Sequence, residues 1–151
     1  MIIGDTSEFG VEFAYIYGYC IVTEHMESVK AAAPKTVLVV EDFDDVRDAM
    51  RILVELQGYR VVTASDGREA VEKARQYHPD LILMDIAMPL VDGIEATKRI
   101  KSDESVSSIP IVAVTSFSRQ YHDEALEAGA DRYILKPYEP EFIRKIIKEL
   151  F

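Results

Sequence analysis

The chain has 151 residues, 48% of them apolar, and 27 acids against 17 bases give a formal net charge of −10. This length holds one ordinary domain with enough apolar material for a core, which excludes wholesale disorder. The acidic balance without a basic patch excludes a nucleic-acid partner, and no apolar run is long enough to span a membrane.

The N-terminus carries Asp5, Glu8 and Glu12 where a signal peptide would carry bases. The single cysteine, Cys20, has no intramolecular partner, which fits a reducing cytosol. In "VEFAYIYGYCIV", Val11, Phe13, Tyr15, Tyr17, Tyr19 and Ile21 alternate with the period of one β-strand. Such a strand needs a partner, on a sheet edge or another chain. A mobile interaction arm, or a true start at Met26, are the competing accounts. "SVKAAAPK" then reads as a linker, so residues 1–34 form an extension and 35–151 the domain proper.

From Lys35 onward, short apolar runs alternate with amphipathic stretches. "TVLVV" predicts a strand buried on both faces. A helix follows, with Val46, Met50, Leu53, Val54 and Leu56 at helical spacing and Gly58 to end it. Asp44 and Asp45 open this helix and suit capping and its dipole. "RVVTA" is a second strand, and Asp66 with Glu69 is spaced as a capping box for a helix closed by Pro79. "DLILM" is a third strand, and Asp92 with Glu95 repeats the box. "IPIVAVT" is a fourth strand, "YHDEALEAGA" a helix ending at Gly129, and "DRYIL" a fifth strand. Pro140 starts a last helix with Phe142, Ile143, Ile146, Ile147 and Leu150 on one stripe.

Five strands alternating with five helices predict a parallel sheet covered on both faces. Ligands of such sheets bind at the carboxyl ends of the strands. There the chain places Glu41 and Asp42, Asp85, Thr115 and Ser116, then Lys136 and Pro137. Clustered carboxylates are tolerable around a hard cation such as Mg²⁺, which commonly bridges one or two of them to a phosphate. A carboxylate beside it can attack phosphorus, while an ammonium and a hydroxyl compensate the phosphoryl oxygens.

"VVED", "MDIAMPLVDG", "VAVTS" and "ILKPY", in that order over roughly Thr36 to Leu150, resemble the receiver domain of two-component response regulators. The resemblance implies a flavodoxin-like (βα)5 fold with strand order 2-1-3-4-5. It implies that Asp85 accepts a phosphoryl group from a phosphohistidine on a sensor histidine kinase or histidine phosphotransfer protein. Glu41 and Asp42 match the acidic pair for Mg²⁺, helped by Asp85 and the backbone carbonyl of Ala87. Thr115 matches the switch hydroxyl, Lys136 the phosphoryl-binding lysine, and Tyr133 the switch aromatic. Lys136–Pro137 matches a bond that is cis in the family. Because the chain stops right after the last helix, action by contact with a downstream protein target is expected, on a cytoplasmic monomer or weak dimer. Ala87 and Phe117, at positions that can orient a hydrolytic water, offer no acid or amide.

Each residue has a plainer reading. Asp85 could be a turn residue, Thr115 a strand end, Lys136 a surface lysine and Tyr133 plain packing. His25, His78 and His122 lack metal-ligand spacing. The rival of another class is a haloacid-dehalogenase-like phosphatase, because "VLVVEDFDDV" also fits that motif with Asp42 as nucleophile and Asp44 as acid/base. That reading leaves Asp85 without a role.

Overall fold

A computed structural model describes residues 11–16, 19–24, 33–88, 92–116 and 119–151. The chain divides into two compact units, Met1–Ala33 and Pro34–Phe151. In the first, β1 (Val11–Ile16) and β2 (Tyr19–Glu24) pair antiparallel, in register from Val11↔Glu24 to Ile16↔Tyr19. The single alternating strand expected here is therefore two. The passed-over signal was the Tyr17-Gly18 pair, since a two-residue link containing glycine is a hairpin signature. Tyr17, His25, Met26 and most of the linker lie outside the described residues.

The second unit alternates strictly. Its strands are β3 (Thr36–Val40), β4 (Arg60–Ala64), β5 (Leu81–Asp85), β6 (Ile111–Ser116) and β7 (Arg132–Lys136). All neighbours are parallel, in the order β4-β3-β5-β6-β7, which is the 2-1-3-4-5 arrangement of a flavodoxin-like sheet. The helices are α1 (Asp44–Glu55), α2 (Gly67–Tyr77), α3 (Gly93–Ser102), α4 (Arg119–Glu127) and α5 (Pro140–Leu150).

Because side chains alternate along a strand, the apolar run of β3 feeds two cores. Leu38 and Val40 join Ala70, Ala74, Ile94 and Ile100 of α2 and α3. Val37 and Val39 join Met50 and Val54 of α1 and Ile143 and Ile147 of α5. Burial on both faces is what made this strand continuously apolar. Phe142, expected on the buried stripe of α5, is instead 59% exposed.

Helix ends follow local chemistry. Asp66 and Asp92 cap α2 and α3, each accepting from the amide three residues on at 2.8 Å. Only the first makes the return contact of a capping box, and it reaches Ser65 rather than Asp66. Glu95 instead pairs with Arg99. Asp44 and Asp45 do not cap α1: Phe43 holds that position without a side-chain bond, and both aspartates lie in the first turn, where they complement the dipole. Gly58 and Gly129 end their helices with φ of +89° and +104°.

Candidate functional site

The strands deliver their chemistry one residue past the core. Val40 pairs with Met84, and the next residues on β3 and β5 are Glu41 and Asp85. Both are buried, Glu41 completely. Lys136, at the end of β7, reaches across β6 and donates to Glu41 Oε2 and Asp85 Oδ2, each at 2.8 Å. The second oxygen of Asp85 accepts from the Ala87 amide at 3.1 Å. Thr115, on β6 next to Asp85, is fully buried, and its hydroxyl donates to the Ser116 carbonyl at 3.1 Å.

Glu41, Asp42 and Asp85 each present an oxygen, all within 4.8 Å of one another. Three carboxylates face one ammonium, so the cluster is under-compensated. The chemistry shows in two places. Burial pushes the Glu41 carboxyl up, and the charge of Asp85 adds to this, against the hydrogen bond from Lys136. Burial works against the Lys136 ammonium, but its bonds to Asp85 and Glu41 outweigh that and raise its pKa. In addition, Asp42 Oδ1 is buried with no hydrogen-bond partner among the described residues. A buried carboxylate oxygen left this way is costly unless a cation or water meets it. The donor set is all oxygen, as a hard divalent cation requires.

Two residues that sequence reasoning missed hold this geometry. Arg47, one turn into α1, folds back to donate to the Glu41 carbonyl at 2.8 Å and also pairs with Asp44. Gly93 starts α3 directly behind the Asp85 backbone. A Cβ there would sit 2.0 Å from the Asp85 carbonyl oxygen, so only glycine lets helix and strand end approach this closely. The signal was present in the quoted "MDIAMPLVDG", whose last residue is this glycine.

The expected residues Glu41, Asp42, Asp85, Ala87, Thr115 and Lys136 thus lie at one end of the sheet. Tyr133 lies apart from them, on β7 in register with Ala113, 42% exposed. The Lys136–Pro137 bond is cis. Asp44 has an 83% exposed side chain paired with Arg47 and is not part of the Glu41, Asp42 and Asp85 group, which does not favour it as an acid/base beside Asp42. Phe117 lies outside the described residues. His122 contacts Asp123 and Tyr133.

The family model of the response regulator receiver domain matches residues 37–148. The chain belongs to the response regulator receiver family. It is 43% identical over 114 residues to the polar-differentiation response regulator DivK of Brucella ovis, covering 74% of this chain and 93% of that one. Among solved structures it is similar to the chemotaxis protein CheY4 of Vibrio cholerae, with 30% identity, a TM-score of 0.73, and coverage of 79% of this chain and all of that one. It is also similar to the receiver domain of a Pseudomonas aeruginosa sensor histidine kinase with a magnesium ion coordinated in its active-site cleft. That likeness has 32% identity, a TM-score of 0.73, and covers 78% of this chain and 98% of that one.

A receiver domain is a signalling module that accepts a phosphoryl group on an aspartate, and its partner is a histidine kinase or phosphotransfer protein. The phosphatase alternative is set aside by this membership and by the exposure of Asp44. Among the described residues no helix is long and apolar enough to cross a membrane.

Proposed function

We propose that this protein is a cytoplasmic response regulator that takes a phosphoryl group from a phosphohistidine onto Asp85. The observation that carries this reading is the Asp85 carboxylate itself. It is buried, oriented through both oxygens by Lys136 and the Ala87 amide, and grouped with two further carboxylates of which one oxygen is orphaned. Attack by an Asp85 oxygen on phosphorus forms an O–P bond as the N–P bond to the donor imidazole breaks. Mg²⁺, held by Glu41, Asp42, Asp85 and the Ala87 carbonyl, would supply charge compensation for the phosphoryl oxygens.

Lys136 would offset part of the same charge, and the Thr115 hydroxyl, redirected from Ser116, would bind a phosphoryl oxygen. Thr115 and Ala113 lie on one face of β6, and Tyr133 sits beside Ala113 on that face. Movement of Thr115 toward the phosphoryl group makes room for Tyr133 to turn inward, changing the surface that a downstream protein reads. The protein's own reactions are its phosphorylation and dephosphorylation. Residues 35–151 carry them, with 1–34 a separate extension on a monomer or weak dimer.

The test is phosphorylation by a small radiolabelled acyl phosphate. We expect label that depends on Mg²⁺ and disappears in Asp85→Asn. A variant labelled at the wild-type rate would sink the assignment.

A further inference from the structure

The imidazole of His122 on α4 meets the ring of Tyr133 edge to face, with centroids 4.1 Å apart and planes at 81°. His122 is itself held. Its Nδ1 donates to the Asp123 carboxylate at 2.8 Å, and its side chain is only 26% exposed. The strand beside Tyr133 offers little to keep the phenol ring outward, since its register partner is Ala113, a small residue. Ala125, one turn after His122 on the same helix, is equally small and fully buried. Among the described residues, the aromatic ring that meets Tyr133 is His122.

We infer that His122 is a positioning residue that latches Tyr133 in its outward state and so sets the resting bias of the phosphorylation switch. This rests on the reading of Tyr133 as the switch aromatic, and adds the element that opposes it. For Tyr133 to turn inward, the contact with His122 must break. The phosphoryl group at Asp85 therefore works against the latch, and its strength sets how much differential binding is needed to shift the population. Tyr133 also walls a groove with Leu135, Pro137, Tyr138, Phe142 and Ile146, so release of the latch changes that surface directly.

An edge-to-face pair supplies enough to shift a two-state equilibrium about two- to tenfold. The test uses the full chain grown with 3-fluorotyrosine, and fluorine NMR with the Tyr133 line assigned by its loss in Tyr133→Phe. Beryllofluoride is titrated in saturating Mg²⁺ as the phosphoryl mimic. In His122→Ala, the Tyr133 line of the unliganded protein should move toward its position in the beryllofluoride-saturated wild type. The midpoint of the titration should fall about two- to tenfold. His122→Phe, which keeps a ring at the contact, should restore both values.

An unchanged line and midpoint in His122→Ala would overturn the latch, and so would a His122→Phe variant that behaves like the alanine. A wild-type Tyr133 line that does not respond to beryllofluoride, while the midpoint is still measurable on other tyrosines, would overturn the switch reading itself.

Discussion

The acids that follow two neighbouring strands are treated in opposite ways by the fold. After β4, Glu69 of α2 accepts from the Ser65 amide at 2.6 Å, the Ser65 hydroxyl at 2.8 Å and Lys73 Nζ at 2.6 Å. Its pKa is held down at about 2. After β3, Glu41 is buried beside Asp85, its pKa is pushed up, and the adjacent Asp42 has an orphaned oxygen. The first group is saturated by the protein and serves the fold. The second is left short of positive charge, which is the condition that the proposed cation and phosphoryl site requires. The contrast separates the structural acid from the acids of the candidate site more sharply than acidity or position does.

The strongest way to break the second group while sparing the first is Gly93→Ala. The added Cβ would meet the Asp85 carbonyl at 2.0 Å, and the atoms it meets are backbone, which cannot step aside cheaply. We expect a loss of about 3 kcal/mol in urea unfolding, at the upper end of ordinary overpacking. We also expect weakened Mg²⁺ binding from displacement of the Asp85 backbone. Stability within 0.5 kcal/mol of wild type, a threshold set at roughly the noise of surface substitutions, would show that α3 can shift freely.

Metal addition sharpens the contrast next. At a hundredfold excess over Kd, Mg²⁺ should stabilise the protein by about 2.7 kcal/mol, as any ligand of the native state does. Asp42→Asn should remove most of that gain. It should cost little without metal, because the orphaned oxygen makes no hydrogen bond to lose. Thermal unfolding with and without Mg²⁺ measures both. An Asp42→Asn protein that keeps the full metal effect would remove Asp42 from the site.

Most of this was legible in the residues. The sheet was readable because β3, β5 and β6 are buried on both faces and so had to be continuously apolar, and the placement of the candidate site's residues because they sit where those runs stop. What escaped was decided by contacts between distant segments or by competing local bonds. Gly93 matters through the backbone of Asp85, eight positions earlier, and Arg47 through carbonyls it reaches by folding back. Phe142 fits the stripe of α5 by spacing, yet lies exposed because burial depends on what faces a helix. The pairing of β1 with β2 was missed because the alternation of apolar residues runs on from one strand into the next.

The smallest expected effect tests the saturated carboxylate. Burial alone would raise the Glu69 pKa, but the bonds from Lys73 and Ser65 outweigh it and bring the group to about 2 from an ordinary value of 4.5. A folded-state pKa below the unfolded one contributes stability that is complete above about 4.5 and is lost as pH falls through about 2. The side chain is 35% exposed, so solvent screening leaves about 0.5–1 kcal/mol of the formal amount. Glu69→Gln should therefore be less stable than wild type by that much at pH 7, and the gap should close progressively below pH 4.5. Denaturant unfolding at a series of pH values follows the gap. A difference that persists undiminished to pH 2 would mean that Glu69 acts by packing and amide geometry rather than by its charge, and the contrast with Glu41 would then rest on hydrogen bonds alone.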